Sequence, residues 1–204
     1  METPNIEIFG PETYVLEPWR NGMGTTTELV RSDDIDGNFV WRLSIAGVSN
    51  DGLFSNFDGY ERTLVLLDGV GMKLEHSKSG VSDLRQRFDV AWFEGGESTM
   101  ARLVNGPITD FNVMTRRNNC RANVEIITTD AGELLCLRSD LVFIYAAEES
   151  TLTERGYNDV RHVLSEQFLM KLINMSGRNF LVASKGCIVI QLEGYCVTDR
   201  RACN

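Results

Sequence analysis

Basic charge and histidine are both scarce in this chain. Lys and Arg number 20 against 29 Asp and Glu, for a net charge of -9 and a pI near 4.8. Such a field repels a phosphate backbone, which excludes a general nucleic-acid binder. Any anion site must then be built locally, from a few arginines. Only His76 and His162 are present, and they form no His-x-His pair. Carboxylates such as Asp110 and Glu28 are too sparse to suit a hard cation, so no metal ligand set is expected.

The cysteines are few and odd in number: Cys120, Cys136, Cys187, Cys196 and Cys203, with no Cys-x-x-Cys. That excludes a dense disulfide framework and predicts free thiols in a reducing compartment. No apolar run is long enough to cross a bilayer. The first ten residues carry Glu2 and Glu7 and lack the apolar stretch of a secretory signal. A cytoplasmic location follows by elimination, with no membrane partner. Gly-x-Ser-x-Gly, a P-loop lysine and full Rossmann spacing are also missing, so neither nucleophile-elbow nor nucleotide-binding chemistry has a sequence basis.

What remains is a rhythm of short apolar runs cut by Gly, Asn, Asp and Ser, the pattern of many strands joined by tight turns. Residues 40–48 alternate: Trp41, Leu43 and Ile45 on one face, Arg42, Ser44 and Ala46 on the other. In residues 110–115, Phe111 and Val113 oppose Asp110, Asn112 and Met114. Residues 62–67 and 72–76, separated by Asp68-Gly69, are expected to form a hairpin. Residues 141–147 and 187–192 are near-continuous apolar runs, as buried strands are. The polar stretch 148–159 is expected to be a loop. Residues 160–175 fit a helix or strands equally well. The fold class is all-β, a sandwich or barrel.

Four segments together resemble the HutD/Ves family: Trp19-Arg20-Asn21-Gly22-Met23-Gly24-Thr25-Thr26-Thr27-Glu28; Trp41-Arg42-Leu43-Ser44-Ile45-Ala46; residues 52–62 with Leu67-Asp68-Gly69; and Asp110-Phe111-Asn112-Val113-Met114-Thr115-Arg116. Cys120, Ala122 and Val124 look closer to the Ves branch. The resemblance implies a double-cupin-like (RmlC-like jelly roll) fold in one domain, with two similar halves near residues 1–118 and 119–204. It favours strands for residues 168–173. It implies a link to histidine utilisation for one branch and to stress response for the other, and no established reaction. Cupin sheets often pair, which leaves a homodimer open.

In a cupin barrel one face of each strand points into the lumen. That would turn Arg42, Ser44, Asp110, Asn112 and Arg116 inward. Arg62 enters an apolar strand, and a buried guanidinium needs a carboxylate or an anionic ligand. Trp19, Asn21, Thr26 and Glu28, in or beside the glycine-threonine segment, complete the candidate set. Two arginines with Ser44, Thr26 and Asn112 suit a carboxylate or formyl-like group, because guanidinium donates two parallel hydrogen bonds. The expectation is a small-molecule binder with no cofactor and no metal. Two other readings stay open: a metal-independent isomerase or hydrolase using Glu28 or Asp110 as base, and a structural salt-bridge network with no ligand.

Overall fold

A computed structural model describes residues 3–19, 24–156 and 159–194. Strand β1 (Asn5–Phe9) and a 3-10 turn (Pro11–Thr13) come first. There follow β2 (Val15–Pro18), β3 (Gly24–Asp33), β4 (Phe39–Val48), β5 (Gly52–Leu53), β6 (Tyr60–Asp68) and β7 (Met72–His76). Next are β8 (Gly80–Leu84), β9 (Val90–Glu94), β10 (Thr99–Leu103) and β11 (Ile108–Arg116). The remaining strands are β12 (Cys120–Ile127), β13 (Glu133–Cys136), β14 (Leu141–Ala146), β15 (Ser150–Arg155), β16 (Arg161–Leu164), β17 (Leu169–Ile173), β18 (Asn179–Ser184) and β19 (Cys187–Gly194). No α-helix occurs among the described residues, so none there is long and apolar enough to cross a membrane.

The chain divides into two compact units, Tyr14–Arg121 and a second made of Met1–Thr13 with Ala122–Asn204. In the Tyr14–Arg121 unit a six-stranded sheet, ordered β2-β3-β4-β11-β6-β9, faces a four-stranded sheet, β5-β10-β7-β8. Leu64, Leu66, Ala91, Phe93, Val48 and Ile108 of the larger sheet pack with Met72, Leu74, Leu84 and Ala101 of the smaller. Burial of such side chains stabilises the sandwich by roughly 1.5–3 kcal/mol each.

The other unit is also two antiparallel sheets, β1-β17-β14-β19-β12 and β13-β18-β15-β16. Val142, Ile144, Met170, Leu172 and Val189 meet Leu135, Leu152, Leu164, Phe180 and Val182 in its core. Its apolar central strands β14 and β19 are buried, as their sequence predicts. The first strand belongs here too: β1 pairs antiparallel with β17, Asn5 opposite Ile173 and Phe9 opposite Leu169.

Three expectations are corrected. Residues 62–67 and 72–76 do not form a hairpin: β6 pairs with β11 and β9, whereas β7 pairs with β10 and β8. Gly69 and Gly71, at φ 101° and 135°, turn the chain out of one sheet and into the facing one. Residues 150–155 are not loop but strand β15, flanked by β16 and β18. Its polar composition hides an alternation in which Ser150 and Leu152 point inward, Ser150 Oγ donating to Ser184 Oγ at 2.8 Å. The thiols are not all free: Cys136 and Cys187 are, but Cys120 is disulfide-bonded, which removes the thiol argument for a reducing compartment. The open question over residues 160–175 resolves to strands β16 and β17.

Candidate functional site

Antiparallel register places directly opposed residues on the same face. On the six-stranded sheet, Arg42, Met114 and Arg62 form one row across β4, β11 and β6. Ser44, Asn112 and Leu64 form the next, and Ala46, Asp110 and Leu66 a third. Thr26 of β3 opposes Ala46, and Glu17 of β2 opposes Thr26. The other face of the same strands carries Trp41, Leu43, Phe111, Val113 and Val65, all buried. Two register shifts flank the polar patch. One lies between Glu28 and Val30 on β3, the other where β11 meets β6 between Thr109 and Asp110. Bulges of this kind re-aim side chains and are common beside functional sites.

The polar face borders a cavity of about 490 Å³. Trp19, Thr26, Arg42, Ser44, Arg62, Asp110 and Asn112, all expected from sequence, line it. Glu17, Pro18, Ala46, Leu53, Phe54, Ser55 and Phe57 line it as well. Phe54 and Phe57 are readable in principle: two aromatics three residues apart, just ahead of an arginine that needs a partner for its charge. Glu17 leaves no signal, because its place on the wall depends on the pairing of β2 with β3.

Glu28 and Arg116 do not line the cavity. Glu28 sits on the same sheet face but lies 3.6 Å from Arg31 Nη1. Arg116 is held at the strand end, donating from Nη1 to Asp34 Oδ2 at 2.6 Å and from Nη2 to the Phe39 carbonyl at 2.9 Å. Its Nη2 also donates to Tyr60 Oη at 3.2 Å. Asn21 lies outside the described residues.

Both cavity arginines are packed among aromatic rings. The Arg62 Cζ lies 5.0 Å from the ring centres of Phe54 and Phe93 and 5.7 Å from that of Phe57. The Arg42 Cζ lies 5.0 Å from Phe39 and 5.5 Å from Phe57. Ring faces attract a cation and compensate part of its lost hydration. Arg62 Nη2 donates to Asn112 Oδ1 at 2.9 Å, and Asn112 Nδ2 donates to Asp110 Oδ1. The amide thereby relays between cation and carboxyl. Trp19 also lines the cavity, its Nε1 donating to Thr26 Oγ1 at 2.7 Å.

Burial dominates the electrostatics. Asp110 is 0% exposed, and desolvation raises its pKa from 3.8 to about 7, against the opposing pull of Arg62. Desolvation lowers Arg62 to about 10, with Asp110 pulling back and Arg42 adding repulsion. Arg42 is lowered by desolvation too, opposed first by Glu28 and then by Glu17. Three buried polar atoms of this group have no hydrogen-bond partner: Arg42 Nε, Arg62 Nε and Asp110 Oδ2.

Cupin folds often carry a metal, and these residues do not fit one. Two guanidiniums would repel a cation, and the cavity offers no imidazole or thiolate. His76 is engaged elsewhere, Nδ1 with Thr99 Oγ1 at 3.0 Å and Nε2 with Ser82 Oγ at 3.2 Å. Burial lowers its pKa, against an opposing effect of Glu97. His162 lies on β16 of the other unit. Among the described residues no group of three or more His, Cys, Asp or Glu is placed to hold a metal ion.

The fold and the site define an all-β, cupin-like protein with an arginine-lined cavity in one of its sandwiches. The chain belongs to the HutD family, whose profile matches residues 11–189. It is 33% identical over 160 residues to a Pseudomonas putida protein described as an uncharacterized 21.2 kDa protein in the hutC 3' region, covering 78% of this chain and 82% of that one. It is 38% identical over 122 residues to protein Ves of Escherichia fergusonii; the match spans 59% of this chain and 63% of the Ves protein. The structure of HutD from Pseudomonas fluorescens SBW25, solved in a formate condition, superposes with a TM-score of 0.80 at 25% identity, over 93% of this chain and 99% of that one.

Proposed function

We propose that this protein binds a small carboxylate-bearing metabolite in the Arg42–Arg62 cavity, without a metal or other cofactor. One observation carries the reading. Arg42 Nε, Arg62 Nε and Asp110 Oδ2 are buried at one cavity and lack partners. Leaving such atoms unpaired costs about 1–3 kcal/mol apiece. A carboxylate or formyl-like group approaching the guanidiniums offsets part of that cost, and the aromatic rings beside them exclude water and strengthen the contact. The position of the P. putida relative beside hutC supports choosing ligands connected with histidine utilisation.

The test is a thermal-shift screen of formate, formylated amino acids and histidine-pathway acids. At a hundredfold excess over its Kd, a bound acid stabilises the fold by about 2.7 kcal/mol. Arg42→Ala and Arg62→Ala each remove that stabilisation. If every hit stabilises both variants as it does the wild type, the ligand sits elsewhere.

A second reading is favoured by Asp110. A carboxyl with a pKa of about 7 is matched to general acid–base work at neutral pH. Glu28, outside the cavity, is not placed for that role. Incubating each hit with the protein and seeking a product by mass spectrometry separates a binder from a metal-independent isomerase or hydrolase. A product that Asp110→Asn abolishes identifies the enzyme.

A further inference from the structure

The side chains that line the cavity are sorted by charge along the six-stranded sheet. One row runs Glu17, Thr26, Ala46, Asp110 across β2, β3, β4 and β11. The next brings neutral Ser44 and Asn112 of β4 and β11 to the cavity, with Glu28 of β3 opposite Ser44 but outside the lining and 3.6 Å from Arg31 Nη1. The one after that carries Arg42 and Arg62 on either side of Met114. Successive rows are two residues apart, so about 6.7 Å along the strands. The cavity therefore has an acidic end and a cationic end with hydrogen-bonding groups between them. Glu17 is exposed and its charge acts on Arg42, and the fully buried Asp110 keeps Oδ2 unpartnered.

We propose that the ligand of this cavity is amphoteric, its carboxylate held by Arg42 and Arg62 and a protonated nitrogen at its other end received by Glu17 on the side of Asp110. This rests on the binding function above and narrows its ligand class. The charged side chains lining the cavity are Glu17, Arg42, Arg62 and Asp110, two of each sign. A dicarboxylate would set its second anion against the acidic row. A plain monocarboxylate would neutralise the Arg42 charge that acts on Glu17 and bring no cation in its place. A molecule with both charges answers both ends, and Trp19 and Phe54 offer apolar surface to its skeleton. A cavity of 490 Å³ is of ordinary size for a small metabolite.

The pH response has opposite signs for the two ligand classes. Asp110 is faced by Arg62 on β6, with Arg42 on β4 and Glu17 on β2 also at the cavity; Glu28 and Arg31 of β3 act on Arg42 from outside it. A protonated amine beside Asp110 favours its ionised form, so an amphoteric ligand binds more tightly as pH rises through about 7. An anion alone is repelled by that ionised form, so its affinity falls over the same range.

The experiment is calorimetric titration of the full chain with 3-aminopropanoate, 4-aminobutanoate and 5-aminopentanoate, each against the monocarboxylate and dicarboxylate of equal length. The expected result is an amino-acid preference of about fivefold, the scale of a partly exposed ion pair, that grows from about pH 6 to about pH 8. Glu17→Gln, at an exposed position, erases the preference, so that each amino acid and its monocarboxylate then bind equally. Plain acids binding as tightly as their amino counterparts, or a preference that survives Glu17→Gln, overturns the amphoteric assignment; if Arg42→Ala and Arg62→Ala still abolish that binding, the carboxylate site stands without it. Binding of no acid of any class by the wild type refutes the carboxylate site and this inference together.

Discussion

Replacing Asp110 with Asn should make the protein more stable at neutral pH, and the size of the gain follows from burial. The carboxyl is 0% exposed, and its pKa rises on folding from 3.8 to about 7. A tenfold change in proton affinity is worth about 1.4 kcal/mol, so a rise of this size is worth about 4 kcal/mol. Because the folded pKa lies above the unfolded one, the folded protein holds this proton more tightly. Its contribution is fully favourable below about pH 4, is lost as pH rises to about 7, and stays at its minimum above that. Asn mimics the protonated acid in shape and can still accept from Asn112 Nδ2, but it cannot ionise. The stability difference, variant minus wild type, should be near zero at about pH 4 and grow to about 4 kcal/mol at about pH 8. Urea unfolding followed by tryptophan fluorescence suits the measurement, because Trp19, Trp41 and Trp92 all lie in the unit that contains Asp110. Parallel pH curves for the two proteins would show that Asp110 titrates like an exposed acid. A variant less stable than wild type at pH 8 would show that Asp110 works as an ionised counter-charge to Arg62. Either result refutes the reasoning.

Other outcomes follow from local geometry. Cys187, buried and with a thiol pushed up to about 12 by desolvation, should resist maleimide in the native protein while exposed Cys136 reacts; equal labelling would contradict the packing. Gly69→Ala places a Cβ 2.7 Å from the Pro107 carbonyl oxygen at a φ of 101° and should cost about 1–3 kcal/mol, seen as a lowered urea midpoint. Tyr60→Phe removes the 2.6 Å bond to the Phe39 carbonyl and an acceptor for Arg116, costing about 1 kcal/mol with carboxylate binding unchanged.

Strand parity is the most legible part of the site. Arg42, Ser44, Asp110 and Asn112 alternate with apolar partners that have to be buried, so the hydrophobic pattern alone turns them to one face. Arg116 shows the limit of that logic: it has the right parity but sits at the end of β11, beyond the cavity, where Asp34 and Tyr60 claim it. Parity says which way a side chain points and not how far along the strand the cavity extends. Strand β15 is hard to see in the sequence because Thr151, Thr153 and Glu154 mask the inward Leu152. The β6–β7 connection misleads for a related reason. Asp68-Gly69 announces a turn, but a turn residue carries no record of which sheet the chain enters next.

The pairing of β1 with β17 has a consequence for synthesis on the ribosome. Asn5–Phe9 emerges before the other described strands, and its sheet neighbour Leu169–Ile173 follows only after the whole Tyr14–Arg121 unit. The Tyr14–Arg121 sandwich, with its cavity, has all its strands in hand well before that. The nascent chain can therefore complete the Tyr14–Arg121 unit while β1 stays unzipped, waiting for a partner more than a hundred residues downstream, and long-range closures of that kind are slow steps.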